Sequence, residues 1–261
     1  MSTATSTTPI QRKPELLGQT VLVIGGSAGI GLETARRARA EGAKVILTGR
    51  NPVRLQRAAS ELEALSASES AGVTTAAFDA EDPFSLERFF HDLPAPIDHV
   101  MVTAGGPHYA RLLEMDFEEA RQSLEAHPLL MFQVARHAAP KVRPGGTLLF
   151  MGGTGGRRPG IGMGMVPTVT AALPALTASL ALELAPVRVN LIAAGFVDTP
   201  LSASLLGDEL ENRRNQLRTT LPIRRVVGPE DVAALAVHIM INTALTGATY
   251  DIDGGQQLIA R

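Results

Sequence analysis

Short runs of aliphatic and β-branched residues alternate along the chain with longer stretches in which apolar residues recur every three or four positions. The runs at 20–25, 44–48, 73–77, 99–103, 147–151, 187–193 and 248–252 end in glycine, proline or polar residues and predict seven strands. They are apolar on both faces, as in a parallel sheet covered by helices. The periodic stretches at 30–41, 52–66, 83–92, 116–141, 167–185, 203–218 and 229–241 predict helices. Two have clear starts: Asp82 before Pro83, and Gly228 before Pro229, Glu230 and Asp231. The alternation predicts a doubly wound α/β domain over 15–261, with a mostly parallel seven-stranded sheet and helices on both faces. Residues 1–14, rich in Ser and Thr, read as a flexible tail, and 64–72 as a mobile connection.

Composition narrows the function classes. The net charge of −2 gives no reason to expect nucleic acid or an anionic membrane as partner. No cysteine is present, which excludes disulfides, thiolate metal sites and a cysteine nucleophile and accords with the cytoplasm. No metal site is expected. The start lacks the basic and apolar regions of a signal peptide, and without an uninterrupted apolar run of 18 residues no transmembrane helix is expected.

The first predicted strand runs into Gly25-Gly26-Ser27-Ala28-Gly29-Ile30-Gly31, and a helix follows. Glycines allow positive φ and let backbone N–H groups approach a pyrophosphate, to which the helix N-terminus adds partial positive charge. Gly25, Ser27, Gly29, Ile30 and Gly31 are therefore candidate nucleotide ligands in a Rossmann-like fold, the plain alternative being a tight strand-to-helix turn. The second strand ends Thr48-Gly49-Arg50-Asn51, with no carboxylate for a ribose 2′-hydroxyl. Arg50, with Asn51 beside it, can meet a 2′-phosphate, so NADP(H) is expected over NAD(H). The plain alternative for Arg50 is a solvated surface charge.

Further segments follow in order: Phe78-Asp79, Thr103-Ala104-Gly105, Ala181–Ala185, Val187-Arg188-Val189-Asn190, Gly195–Pro200, Gly228–Ala233 and Asp253-Gly254-Gly255. Together with the glycine turn, the chain resembles the short-chain dehydrogenase/reductase family over residues 17–258. The resemblance implies that Asp79, with Ala80 after it, lies by the adenine. It implies that Thr103, Ala104 and Gly105 run along the cofactor, and that Val197 to Thr199 meet the nicotinamide carboxamide. Thr103 stands where the family usually has asparagine, and Ala194 where it usually has proline.

The family reduces carbonyls with a serine, a tyrosine and a lysine, which by this resemblance fall on Gly153, Val166 and Thr170. A relay asparagine falls on His127. No shift of register restores the pair, because the chain holds only Lys13, Lys44 and Lys141 and only Tyr109 and Tyr250. Substitutes are few. His127 has the matching position and a side chain that titrates near neutrality; otherwise it is a locally bonded helix residue. His108 and Tyr109 lie on the loop after Gly105, as functional groups or as packing. Arg157 and Arg158 can bind an acidic substrate or be merely solvated. Thr154, Thr168 and Thr170 donate hydrogen bonds but are not acids at neutral pH. Pro128 and Pro174 fall inside predicted helices and are expected to kink or restart them.

These features predict an NADP(H)-dependent oxidoreductase with an atypical or substitute proton relay, acting on a small molecule. The alternative is an NADP(H)-binding pseudoenzyme. The Ala- and Leu-rich helices 116–141 and 167–185 predict a homo-oligomer. The segment 199–218, with Ser202, Ser204 and Asn212, is placed as a substrate lid.

Overall fold

The computed structural model describes residues 15–64, 72–157 and 160–259. The expected tail 1–14 and most of the expected connection 64–72 lie outside the described residues, as does Arg158. Strands β1 (Thr20–Ile24), β2 (Lys44–Gly49), β3 (Val73–Ala77), β4 (Ile97–Val102), β5 (Val142–Gly153), β6 (Arg188–Ala194) and β7 (Thr249–Ile252) form one parallel sheet in the order 3-2-1-4-5-6-7. Between them lie α1 (Gly29–Ala40), α2 (Pro52–Ala64), α3 (Pro83–Asp92), α4 (Phe117–Ala138) and α5 (Met165–Glu183). Then come α6 (Pro200–Leu206), α7 (Leu210–Thr220) and α8 (Pro229–Ile241). The strand order reverses between β1 and β4, and in open sheets of this kind ligands bind at such a switch point, beyond the carboxyl ends of the strands.

Successive side chains of one strand point to opposite faces, and the core divides accordingly. Leu22, Ile24, Val100, Val102, Leu148 and Phe150 pack against α3, α4 and α5. Val21, Val23, Val45, Leu47, Met101 and Leu149 pack against α1, α2 and α8. Both faces of the central strands are thus dry, which holds their ends rigidly as a platform for the loops.

Three expectations need correction. The predicted lid helix 203–218 is two helices, α6 and α7, divided by a tight turn at Gly207–Glu209 where Gly207 takes φ 49°. It also starts earlier, because Thr199 caps it through its hydroxyl (3.3 Å from the Ser202 amide) and Pro200 occupies the first turn. Neither proline restarts its helix: α4 is continuous through Pro128 and α5 through Pro174. Buried Leu130, Met131 and Val134 anchor α4 beyond its proline, and Leu173, Thr177 and Leu180 anchor α5 on both sides of its own. Finally, α5 is long and apolar enough to cross a membrane by length and composition, with mean hydropathy 1.6 and 22% of the stretch buried. The absence of an uninterrupted apolar run concealed this, because its polar residues are chiefly threonines. Thr168 and Thr170 turn their hydroxyls onto the carbonyls of Gly164 (2.8 Å) and Val166 (2.7 Å). Here α5 packs on the sheet, with Leu173 and Leu180 in the core.

A polar row crosses the amino end of the sheet, where His99 pairs in register with Thr147 and Thr147 with Arg188. Arg188 is buried and donates to the carbonyls of Ile239 (2.9 Å), Met240 (2.8 Å) and Leu245 (2.9 Å), closing the last turn of α8. His99 is 1% exposed and meets Gln19 Oε1 at 2.8 Å through Nε2, while its Nδ1 has no hydrogen-bond partner among the described residues. Burial, and then the charges of Arg188 and Arg143, push its pKa down to about 3.

Candidate functional site

At the carboxyl end of β1 the chain turns so tightly that side chains are excluded. Gly25 has φ +93°, and a Cβ there would stand 2.6 Å from Thr103 Oγ1 and 2.8 Å from the Ala104 nitrogen. A Cβ on Gly31 would stand 2.3 Å from the Gly25 carbonyl oxygen. Thr103 secures the turn, its hydroxyl lying 3.0 Å from the carbonyl oxygen of Gly25 and 3.2 Å from that of Ile24. A threonine in the place of asparagine therefore still ties β4 to the glycine turn. Helix α1 follows Ala28, which gives no side-chain cap, and has no acid in its first turn, so its leading N–H groups suit an anion. Gly29 faces Thr199, a Cβ there standing 3.4 Å from Thr199 Cβ, which brings the glycine turn and the Val197–Thr199 segment together. Ile30 is half-buried, and Val197 is buried and bridges Val227.

The end of β2 lies beside this turn. A Cβ on Gly49 would stand 3.4 Å from Ser27 Oγ. Arg50 is exposed and makes no hydrogen bond or ion pair among the described residues. Asn51 is committed to starting α2, its side-chain oxygen accepting from the Arg54 amide at 2.9 Å and its carbonyl from Leu55 at 3.1 Å. Asp79 is exposed and accepts from the Glu81 amide at 3.1 Å, and Ala80 beside it is buried. These residues fit a dinucleotide: an anion-binding helix end, glycines that admit its phosphates, and a cation with no carboxylate at the ribose position.

The other end of the cleft is built from β5 and α5. Gly153 ends β5, and a Cβ on it would lie 3.5 Å from Thr170 Cγ2, an ordinary contact. A Cβ on Gly155 would meet Val166 Cγ1 at 2.8 Å, and one on Gly156 would meet Thr170 Oγ1 at 3.1 Å. Gly153, Val166 and Thr170 are thus neighbours, as the sequence register requires. His127, on α4, meets β5 two residues before Gly153: its Nε2 donates to the Met151 carbonyl at 2.9 Å, and its Nδ1 lies 3.0 Å from where a Cβ on Gly105 would be. The ring therefore links β5 to the Gly105 loop. Thr154 is buried.

Tyr109 is half-exposed, and burial raises its phenol pKa while the charge of Arg213 pulls it back. His108 is half-buried on the same loop. The loop is fastened to the segment before α5 by the Ala110 amide, which donates to the Gly162 carbonyl at 3.1 Å. Arg157 is not placed to receive an acidic substrate: it forms an ion pair with Asp251 and donates to Gln257 Oε1 at 2.7 Å. In the segment 199–218, Ser202 donates to the Val197 carbonyl at 2.5 Å and Asn212 to Glu209 at 3.1 Å.

Sequence reasoning missed the clasp that holds α7, in the segment expected to form a lid. Arg214 on α7 grips Asp198 with two hydrogen bonds of 2.8 and 2.9 Å, and Arg213 lays its guanidinium over the Phe196 ring at 5.8 Å. Only an aromatic and an acid near the start of the segment, with adjacent arginines in its second half, could have signalled it. A separate cavity of about 650 Å³ lies between β2, β3 and α3, lined by Ile46, Ala76, Phe89 and Leu93, and includes none of the candidate site residues.

A family model described as enoyl-(acyl carrier protein) reductase matches residues 25–257. The chain is 31% identical to the short-chain dehydrogenase/reductase ATR9 of Stachybotrys chlorohalonatus, over 93% of this chain and 98% of that protein. It is 28% identical to dehydrogenase/reductase SDR family member 4 of Sus scrofa, over 96% and 91% of the two chains. The solved structure of MalC reductase/Diels–Alderase from Malbranchea aurantiaca superposes with a TM-score of 0.87 at 26% identity, covering 95% of this chain and 99% of that one.

Proposed function

The chain belongs to the short-chain dehydrogenase/reductase family, and from that premise we propose that it is an NADP(H)-dependent oxidoreductase working without the family's tyrosine and lysine. In this reading the first turn of α1, with Gly25, Ser27, Gly29, Ile30 and Gly31, holds the pyrophosphate. Arg50 and Asn51 meet the 2′-phosphate. Asp79 and Ala80 flank the adenine, Thr103 to Gly105 line the ribose side, and Val197 and Thr199 take the carboxamide. A bound NADPH supplies a hydride to the substrate.

One observation carries the unusual part. Val166 and Thr170 stand against Gly153, Gly155 and Gly156, and the Thr170 hydroxyl is spent on the Val166 carbonyl. No side chain in this group is an acid near neutral pH. A positioned general acid is worth roughly 10²–10⁴-fold, so an unactivated ketone would react slowly here. An iminium ion or a conjugated alkene, already electrophilic, suits the site. The Malbranchea protein is named both a reductase and a Diels–Alderase, and a cycloaddition needs no proton donor either. His127, bonded to β5 and facing Gly105, positions that loop. The alternative is a nucleotide-binding protein without turnover.

The outer faces of α4 and α5 carry Leu129, Phe132 and Leu182, exposed by 48%, 52% and 84%. Pairing with a second copy would cover them, and a single-chain mass by light scattering would exclude it. The cytoplasm accords with the lack of cysteine.

The test is NADPH oxidation against ketones, iminium ions and enones, in the wild type, His127→Ala and Tyr109→Phe. Turnover of activated acceptors with little on ketones supports the proposal. Tight NADPH binding with no turnover on any acceptor supports the alternative. Loss of turnover in either variant would reassign that residue to the reaction itself.

A further inference from the structure

The segment that follows β6 is fixed at its start and lightly held beyond it. The Gly195 amide donates to the Ile252 carbonyl at 3.1 Å, the Phe196 amide to Gln256 Oε1 at 2.8 Å and the Asp198 amide to the Val227 carbonyl at 2.9 Å. From Asp198 to Gln216 no residue is buried, and α7 reaches the core only at Leu217, near its end. A stretch with so little buried apolar surface is not held in place by packing. The ties that bring it back are polar. Arg214 grips Asp198 at 2.8 and 2.9 Å, so that α6 and α7 form a hairpin whose far arm returns to where the near arm begins. The two side chains are 29% and 30% exposed, and the pair is only partly screened by solvent. Arg214 also meets Glu211 at 3.2 Å, an exposed acid shared with Arg218.

Asp198 stands between Val197 and Thr199. The Val197 carbonyl accepts from Ser202 Oγ at 2.5 Å, and Thr199 Oγ1 lies 3.2 Å from the same hydroxyl. Thr199 in turn faces Gly29 of the glycine turn. The first turn of α6 therefore shapes this segment, and the clasp fixes the course that α6 and α7 take from it.

We propose that Arg214 is a positioning residue for the nicotinamide end of the nucleotide. By closing the loop from Asp198 to Arg214 it holds Val197 and Thr199 in the arrangement that receives the carboxamide, so that binding need not order them. This rests on the proposed nucleotide site and goes beyond it, because it makes one half of that site depend on α7.

The test compares two ligands by calorimetry: NADPH, and adenosine 2′,5′-bisphosphate, which carries the adenosine half without the nicotinamide. Arg214→Gln should weaken NADPH about tenfold, the scale of a partly exposed bidentate ion pair, and the bisphosphate by less than about twofold. Arg214→Lys, a point charge without the fork, should recover part of the loss. Asp198→Asn should weaken NADPH to the same extent, and the double variant no further than either single one, as expected of partners in one pair. Equal weakening of both ligands would mean general damage to the fold, and additive losses would mean that the two residues act separately. Either result overturns the proposal. Binding of both ligands by the wild type, with NADPH untouched by Arg214→Gln, would overturn the proposal alone. Binding of neither ligand by the wild type would remove the nucleotide site, and the proposal with it.

Discussion

Gly31 and Gly153 both lie at carboxyl ends of the sheet, at opposite ends of one cleft, and they are glycines for different reasons. A side chain at Gly31 would collide with the Gly25 backbone at 2.3 Å, whereas one at Gly153 would make an ordinary 3.5 Å contact with Thr170. The glycine-turn end is therefore fixed by sterics: strand, turn and helix pack so closely that only glycine fits. At the β5–α5 end, Gly153 has room for a Cβ that it does not carry. Where shape alone dictates a residue, the family pattern persists in this chain. Where chemistry would dictate it, the residues are ones that pack.

That contrast can be broken experimentally. The largest effect is expected from Gly31→Ala, in which the backbone must shift by several tenths of an ångström at the glycine turn proposed to hold the pyrophosphate. NADPH affinity should fall by at least about a hundredfold, a cost of roughly 3 kcal/mol. Affinity within a few-fold of wild type, in a protein with unchanged circular dichroism, would show the turn to be looser than described.

The next effect belongs to the amino end of the sheet, away from both regions. His99 is held neutral in the folded chain, with its pKa near 3 against 6.5 when exposed. Above pH 6.5 both states are neutral and the shift costs nothing. As pH falls from 6.5 towards 3 the unfolded chain takes up a proton that the folded one refuses, so stability is lost. The loss is about 1.4 kcal/mol per pH unit, or about 3 kcal/mol at pH 4.5. Urea unfolding at pH 7 and 4.5 should show His99→Leu losing less stability than wild type by that amount. Equal losses would mean the ring is hydrated or protonated in the fold.

The smallest effect is expected from Gly153→Ser. With only ordinary contacts to meet, it should change stability by less than about 1 kcal/mol and NADPH affinity by less than about twofold. A large loss would place Gly153 with the sterically required glycines and erase the contrast.

The same difference explains how much could be read from the sequence. The seven strands, their helices and the glycine turn were legible because they rest on local periodicity and on glycine's backbone freedom. The proximity of Gly153, Val166 and Thr170 was legible because strand β5 and helix α5 are rigid, so register alone places them. The pairing of Arg157 with Asp251 was not, since 94 residues separate them and either arginine neighbour could have been solvated. The continuity of α4 and α5 through their prolines was also hidden. Propensity argues against it, and only tertiary anchoring on both sides of each proline overrides that. The segment expected to form one lid helix divides at Gly207 because a positive φ ends α6 there, which an apolar pattern does not reveal.

The most direct test is a fluorescence titration of the wild type and Arg50→Ala with NADPH and NADH. A nucleotide seated on the first turn of α1 with its 2′-phosphate at Arg50 predicts NADPH binding at least about tenfold tighter than NADH, a margin that Arg50→Ala removes by weakening NADPH alone. Tighter NADH binding, or no binding of either nucleotide, would contradict it.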